Sequence, residues 1–338
     1  MTAASYFLDP SFRPAAWLSG RHIQSILPSL PLRRRNVERR ARALIGASRE
    51  LLIDCGAGVR LAALHAPALR DAGSRAPLVI LLHGWEGSAQ SLYVLSLGQL
   101  LFEHGYEIVR LNLRDHGDTQ QLNRGLFHSC RLAEVVGAVS RLRADFPQRP
   151  LLLAGFSLGG NFMLRVAAEA RNAQLELRHV FAVSPVLDPA STLDALEDGL
   201  RLYHSYFVLK WSSSLRRKQQ LWPEDYEFSP MLRSRNLRQM TEDLVEKYTE
   251  YQSLRAYLRG YAITEERLAA LQVPATIIAA LDDPIIPAVD LARLAPSAAL
   301  RVVATQRGGH CGFVQSLDQP SWVDRFILRE AERVAPPG

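Results

Sequence analysis

The sequence is poor in cysteine and has no long hydrophobic run. Its 338 residues include three cysteines, Cys55, Cys130 and Cys311, and none of them forms a C-x-x-C pair. This spacing argues against a disulfide framework or a cysteine zinc site and fits a reducing compartment. No stretch approaches the roughly 18 consecutive apolar residues of a membrane-spanning helix, and residues 1–18 lack the pattern of a secretory signal. We therefore expect a cytoplasmic protein.

Several cofactor and metal motifs are also absent. The sequence contains no Walker A loop, no H-E-x-x-H pair and no EF-hand loop. Gly56 and Gly58 lack the third glycine and the following helix of a dinucleotide fingerprint. His116 lies among acidic residues in the segment 114–118, where we favour a structural turn over a metal site. No cofactor and no metal are therefore expected.

Charge is only weakly biased. Forty basic and 34 acidic residues give a formal net charge of +6. Spread over this length, such an excess is more typical of a solvated surface than of a nucleic-acid-binding protein. A basic run over residues 33–42 has apolar residues at helical spacing and predicts a solvated helix packed on the domain. A weak peripheral association with an anionic membrane is the alternative.

Short apolar runs alternate with helical patterns along most of the chain. Six runs are continuous, as expected for strands buried on both faces of a parallel sheet, at 78–82, 106–113, 151–155, 180–183, 275–280 and 300–304. Helical patterns lie at 91–104, 130–146, 161–171, 288–294 and 321–333. The alternation predicts a doubly wound α/β sheet. Residues 51–54 and 59–66 predict an antiparallel hairpin at its edge.

Residues 187–271 interrupt this alternation. The interval is rich in Leu, Arg, Tyr and Trp and is mostly helical in pattern, for example over 241–258. Because no Pro/Gly/Ser-rich linker brackets it, we expect a helical cap over the sheet rather than an independent domain. The predicted organisation is an N-terminal segment over 1–50 that packs on the core, an α/β core over 51–187 and 272–338, and a helical cap insertion over 188–271.

The segment 155–159, G-F-S-L-G, places a serine between a predicted strand and a predicted helix. A nucleophile at such a sharp turn needs small neighbours on both sides to avoid clashes. The helix N-terminus that follows favours developing negative charge. This context favours Ser157 as a nucleophile over a structural Gly/Ser turn.

A serine nucleophile needs a base, and in this arrangement the chain order is serine, acid, histidine. Only His179, His204 and His310 follow Ser157. His179 precedes a strand and His204 lies in the predicted cap. His310 lies in a glycine-rich loop directly after the last apolar strand, where glycines let an imidazole approach the serine. His310 is therefore the predicted base.

The remaining parts of the site are predicted from two loops. The segment D-D-P-I-I-P over 282–287 supplies the acid, and Asp283, four residues before Pro287, is preferred to Asp282. The backbone N–H groups of Leu158 and Trp85 are the predicted oxyanion donors. His83 is expected to form structural hydrogen bonds rather than to act as a base.

The motifs resemble those of a known family. F-R-P-A-A-W-L-S-G-R-H-I-Q-S-I over 12–26 is similar to the F-x-P…L-x-x-x-H-x-Q-T-I segment of the YheT-type α/β hydrolases, bacterial relatives of the eukaryotic lipid-acting abhydrolases. The segments 83–88, 155–161, 282–284 and 309–313 agree with it. The resemblance implies the α/β-hydrolase fold and a triad of Ser157, one of Asp282 and Asp283, and His310. Residue 115 is aspartate where the family usually has glycine.

The predicted function is hydrolysis of carboxylic esters through an acyl-enzyme on Ser157. The resemblance implies short or medium acyl esters, or lipids, as small-molecule substrates. An acyltransferase that uses an alcohol acceptor is one alternative. A catalytically silent binding protein with a hydrolase fold is another, and it predicts a broken triad, whereas none of the three positions is missing.

Overall fold

One sheet organises the protein in a computed structural model, which describes residues 6–69 and 76–337. Within those ranges the sheet has nine strands: β1 (Phe7–Leu8), β2 (Arg49–Asp54), β3 (Arg60–Ala66), β4 (Leu78–Leu82), β5 (Glu107–Leu111), β6 (Leu151–Phe156), β7 (His179–Val183), β8 (Ala275–Ala280) and β9 (Leu300–Thr305). Their order is β1-β9-β8-β7-β6-β4-β5-β3-β2. Strand β3 pairs antiparallel with both β2 and β5, and the other pairs are parallel. The predicted mostly parallel α/β sheet with an edge hairpin is confirmed.

Helices connect the strands and cover both faces of the sheet. In the described ranges they are α1 (Arg21–Ile26), α2 (Pro31–Arg40), α3 (Arg42–Ala47), α4 (Leu92–Glu103), α5 (Leu132–Asp145), α6 (Leu158–Glu169), α7 (Pro189–Asp198), α8 (Arg201–Leu221), α9 (Ser229–Ser234), α10 (Leu237–Tyr248), α11 (Leu254–Tyr261) and α12 (Trp322–Val334). The predicted helix at 288–294 is a 3₁₀ helix over Ala288–Arg293.

Strand β4 shows why the strands are continuous apolar runs. Ile80 and Leu82 belong to the apolar cluster that includes side chains of α5 and α6. Val79 and Leu81 belong to the cluster that includes side chains of α4 and α12. Because successive side chains of a strand point to opposite faces, a strand covered on both sides must be apolar at every position.

Helices α7–α11 lie between β7 and β8 in the chain, and we call them the cap. The helical pattern predicted over 241–258 is interrupted, because α10 ends at Tyr248 and α11 begins at Leu254. The hydroxyl of Thr249 bonds to a carbonyl of α10, and Ser253 Oγ accepts the N–H of Ala256 at 3.2 Å as an N-cap. Side chains that cap the backbone thus end one helix and begin the next. The predicted domain boundaries stay a prediction.

One buried lysine joins the cap to the core. The side chain of Lys218 in α8 is fully buried, and its Nζ donates to Asp115 Oδ1 at 2.9 Å. The same ammonium donates to the carbonyls of Asn123 and Gly125 at 2.6 and 3.1 Å. Asp115 has a φ of 59°, a conformation that favours the glycine usual in the resembling family. The aspartate keeps the turn and adds the carboxylate that neutralises the buried lysine.

The basic run near the N-terminus is only partly solvated. Val37, Ala41 and Leu44 are buried as predicted, but Arg33 is also buried, at 1% exposure. Burial lowers the pKa of Arg33. No helix in the described parts of the chain is long and apolar enough to cross a bilayer. The weak peripheral membrane association stays a prediction.

Candidate active site

Ser157 lies at a sharp turn between β6 and α6. Its φ of 52° and ψ of −120° are values that L residues rarely adopt. A Cβ on Gly155 would lie 2.3 Å from the carbonyl oxygen of Gly159, and a Cβ on Gly159 would lie 2.3 Å from that of His83. Both positions therefore require glycine. Helix α6 begins at Leu158, so the positive end of the helix lies directly beside the serine.

The structure brings His310 and Asp283 together. His310 Nδ1 lies 2.9 Å from Asp283 Oδ2. Asp283 Oδ1 accepts hydrogen bonds from two backbone N–H groups of its own loop, at 2.8 and 3.0 Å, which fixes the plane of the carboxylate. The neighbouring Asp282 does not contact the imidazole; its Oδ1 accepts the N–H of Gly309 at 2.9 Å. The preferred candidate acid is thus the one that contacts the predicted base.

Electrostatics make His310 a stronger base. Burial by itself lowers the pKa of His310, but the Asp283 carboxylate and the adjacent Cys311 side chain raise it, so the pKa lies well above the ordinary imidazole value. A base must be neutral to accept a proton, so its base form is lost as pH falls through this raised pKa. The pair is therefore suited to hold a proton taken from a neighbouring hydroxyl.

Two cavities meet at Ser157. The larger, about 810 Å³, is lined by Ser157, by His310 and by exposed side chains such as Leu202 and Tyr206, and we call it the outer compartment. The smaller, about 110 Å³, is lined by Ser157 and by buried or half-buried side chains, many of them from the cap, and we call it the inner compartment. Ser157 and His310 thus share the outer compartment.

The predicted oxyanion donors lie on both sides of Ser157. A Cβ on Gly84 would lie 3.1 Å from Ser157 Cβ, which places the next residue, Trp85, beside the nucleophile. Leu158 follows the serine and opens α6, so no helical carbonyl precedes it to accept its N–H. Among the described residues, neither N–H donates to another backbone group outside the regular elements. The assignment of these two N–H groups as oxyanion donors stays a prediction.

The other two histidines that follow Ser157 in the chain have structural partners. His179 Nε2 lies 2.9 Å from Thr276 Oγ1 across two neighbouring strands. His204 Nε2 accepts the N–H of Leu237 at 3.3 Å within the cap. Each of these hydrogen bonds joins two separate elements.

The segment 114–118 has a structural role. His116 Nδ1 lies 2.7 Å from the carbonyl oxygen of Arg114, and Asp115 binds Lys218. His83 is buried beside His116, and burial lowers its pKa to about 3, so it is neutral. In the part of the chain that the structure describes, no three His, Cys, Asp or Glu side chains lie close enough to hold a metal ion.

The N-terminal segment contacts the loop that carries His310, which the sequence did not predict. Ser25 Oγ accepts the N–H of His310 at 2.8 Å. Gln24 is fully buried, and its amide bonds to both the carbonyl and the N–H of Val314, each at 2.8 Å. The sequence feature that could have indicated this contact is the resemblance of residues 12–26 to a family segment. That resemblance did not say what the segment does.

Known proteins resemble this chain in sequence and in fold. Mouse phospholipase ABHD3 is 24% identical over 265 residues, which cover 76% of this chain and 63% of the phospholipase. YheT of Escherichia coli (strain K12) is 25% identical over 335 residues, which cover 96% and 94% of the two chains. The match to YheT confirms the resemblance seen in the motifs. The chain spans slightly less than two thirds of the length of the phospholipase.

Comparison of structures gives the same fold. The Pyrococcus furiosus esterase Pf2001 superposes with a TM-score of 0.55 at 14% identity, over 85% of this chain and 93% of the esterase. The family model for the alpha/beta hydrolase fold matches residues 77–317, which contain strands β4 to β9 as well as Ser157, Asp283 and His310. The chain belongs to the family of proteins with the α/β-hydrolase fold.

Proposed function

We propose that this protein is a serine hydrolase of carboxylic esters, with Ser157 as nucleophile, His310 as base and Asp283 as the acid that orients His310. The observation that carries the proposal is the 2.9 Å contact between Asp283 and His310, together with the cavity that His310 and Ser157 both line. The strained turn at Ser157 supports it, because such strain persists mainly at functional sites. The relatives named as a phospholipase and an esterase support an ester as the substrate class.

Acylation uses Ser157, His310 and the two oxyanion donors. His310 Nε2 accepts the hydroxyl proton of Ser157 while Ser157 Oγ forms a bond to the ester carbonyl carbon. The carbonyl oxygen becomes an oxyanion and receives hydrogen bonds from the N–H groups of Trp85 and Leu158. His310 then donates its proton to the alkoxide as the carbon–oxygen bond breaks, and the alcohol leaves an acyl-enzyme.

Deacylation repeats the sequence with water. His310 accepts a proton from a water molecule, whose oxygen adds to the acyl carbon and regenerates the oxyanion. The oxyanion collapses, Ser157 Oγ leaves and takes the proton from His310, and the carboxylic acid is released. The Asp283 carboxylate stabilises the imidazolium that forms in each half.

Covalent labelling tests the proposal. A fluorophosphonate reacts with a serine only where a base and oxyanion donors activate it, so we expect one equivalent to be incorporated and peptide mapping to place it on Ser157. Heat-denatured protein is the control and should take up none. Hydrolysis of p-nitrophenyl butyrate without labelling at Ser157 would contradict the assignment of the nucleophile. A folded protein that neither labels nor cleaves the ester would contradict the proposed function.

A further inference from the structure

The two compartments share one junction. Trp85, Ser157, Phe207 and Ile285 line both of them. The rings of Trp85 and Phe207 are stacked, with centroids 5.1 Å apart and planes at 12°, so the loop after β4 and the cap helix α8 meet here. An ester whose carbonyl lies at Ser157 therefore has one space on either side for its two halves.

His310 distinguishes the two sides. Within the described residues, it lines the outer compartment and not the inner one. The group that protonates a leaving alkoxide must lie within hydrogen-bond reach of that oxygen, so the alcohol half must lie on the side of His310. We infer that the alcohol half occupies the outer compartment and the acyl chain the inner one. This inference rests on the proposed function.

The sizes of the compartments then limit the substrate. The inner compartment measures about 110 Å³, and its walls include Leu193, Leu196 and Leu244 of the cap. A cavity of about 150 Å³ holds a benzene molecule, so the inner compartment accommodates roughly four or five acyl carbons. The outer compartment measures about 810 Å³ and has exposed walls. The substrate class is therefore a short-acyl ester of a large alcohol.

Two series of esters test this assignment. In the first, the acyl chain of p-nitrophenyl esters is lengthened from two to twelve carbons. We expect kcat/KM to be highest near four or five carbons and to fall at least about tenfold by ten, because a filled apolar pocket discriminates by methylene groups. In the second, butyrate is joined to alcohols of increasing size, and we expect changes of only about threefold, because the outer compartment is open.

A matched pair of leucine variants assigns the acyl site. Leu244→Ala removes three carbons from the wall of the inner compartment, so the preferred acyl chain should lengthen by about two or three carbons. Leu209→Ala is the control, since Leu209 is 71% exposed on α8 and lines neither compartment. It should leave the preferred length unchanged. Leu244→Val removes one carbon and gives a smaller shift in the same direction if Leu244→Ala does not fold.

The outcomes separate the inference from the proposed function. Broad acceptance of acyl chains together with strict selection among alcohols would overturn the assignment of the compartments. An unchanged acyl preference in the folded Leu244 variants would do the same. Failure to cleave any ester in either series would instead overturn the proposed function.

A second and independent observation concerns the loop that carries His310. Gly309, Cys311 and Phe313 have φ values of 55°, 57° and 49°, so this short loop holds three residues in the left-handed region. Such conformations persist only where surrounding contacts determine them. The N-terminal segment supplies contacts of this kind. Ser25 Oγ accepts the His310 N–H, and the side-chain amide of Gln24 bonds to both the N–H and the carbonyl of Val314.

Close packing confirms how tightly the two segments meet. A Cβ on Gly309 would lie 2.5 Å from the carbonyl oxygen of Arg21, and a Cβ on Gly312 would lie 2.2 Å from that of Gln24. The geometry points to Gln24 and Ser25 as positioning residues, which act on His310 through the backbone of its loop. Gln24 and Ser25, the Q-S pair of residues 12–26, thereby gain a role in the proposed reaction.

Serine variants test the positioning role. Ser25→Ala leaves the His310 N–H without its acceptor, and we expect kcat to fall about tenfold with little change in KM, because one buried donor loses its partner. The acid limb of the pH profile should also move to lower pH, because a displaced imidazole loses part of its contact with Asp283. Ser25→Thr keeps a hydroxyl at the same position and should restore both kcat and the pH profile.

The amide of Gln24 provides a stronger perturbation. Gln24→Leu leaves both polar groups of Val314 without partners, and we expect a larger fall in kcat than in Ser25→Ala. A lower melting temperature with unchanged kcat and pH profile, in either variant, would reduce these residues to a structural role and overturn the inference. If Gln24→Leu does not fold, the two Ser25 variants decide the question.

Discussion

Replacement of Ser157 by alanine is expected to lower kcat about a million-fold, as loss of the nucleophile does in serine proteases. Without Ser157 Oγ no acyl-enzyme can form, and His310 has no hydroxyl to deprotonate. A residual rate above that of free water should persist, because the N–H groups of Trp85 and Leu158 can still stabilise an oxyanion. Steady-state hydrolysis of p-nitrophenyl butyrate measures the loss.

The matched control is Ser205→Ala. Ser205 is an exposed serine of α8 that lines neither compartment, so its loss should leave kcat within about twofold of the original. Retention of more than about one per cent of the activity in Ser157→Ala would assign the nucleophile elsewhere, since covalent catalysis does not survive loss of its nucleophile.

Replacement of Asp283 by asparagine is expected to lower kcat about ten-thousandfold. Two backbone N–H groups donate to Oδ1, so the amide carbonyl of asparagine will take that position and its NH₂ group will face His310 Nδ1. The imidazole must then carry its proton on Nε2, the atom that has to accept the proton of Ser157. The wrong tautomer, rather than a lost charge alone, causes the effect.

The pH profile provides a second readout of the same variant. Asp283 raises the pKa of His310, so its removal lowers that pKa. Activity is lost as pH falls through this pKa, and the acid limb of kcat/KM should therefore shift to lower pH in Asp283→Asn.

The adjacent carboxylate is a stringent control. Asp282 accepts a hydrogen bond from Gly309 N–H but does not contact the imidazole, so Asp282→Asn should reduce kcat about tenfold at most. An equal or larger loss in Asp282→Asn would exchange the roles of the two residues.

The sheet could be predicted because its strands carry a local signal. The predicted run 78–82 coincides with β4, and 275–280 coincides with β8, because strands buried on both faces are continuously apolar. Strand β1 was not predicted: it has two exposed residues, Phe7 and Leu8, which pair with β9 at the far end of the chain. Two residues are too few to form a recognisable pattern.

The parts of the candidate site also differ in whether they leave a local pattern in the sequence. Ser157 was predicted from its glycines, and His310 from the order of residues along the chain and its own glycine-rich loop. The contact between Gln24 and Val314 joins residues 290 positions apart and leaves no periodicity to find. The burial of Lys218 was not predicted, because a lysine on a helix is normally exposed and its partner Asp115 lies 103 residues earlier.

The separation of Gln24 and Val314 in the sequence also determines when their contact can form during synthesis. A ribosome adds about 5 to 20 residues per second, so the 290 positions between the two residues take roughly 15 to 60 s to synthesise. During this period β6 and α6, which end at residue 169, are already made, whereas Gln24 still lacks Val314. The contact between Gln24 and the His310 loop can form only after residue 314 has been made, so a nascent chain stalled just before that point would contain His310 without the contact that holds its loop.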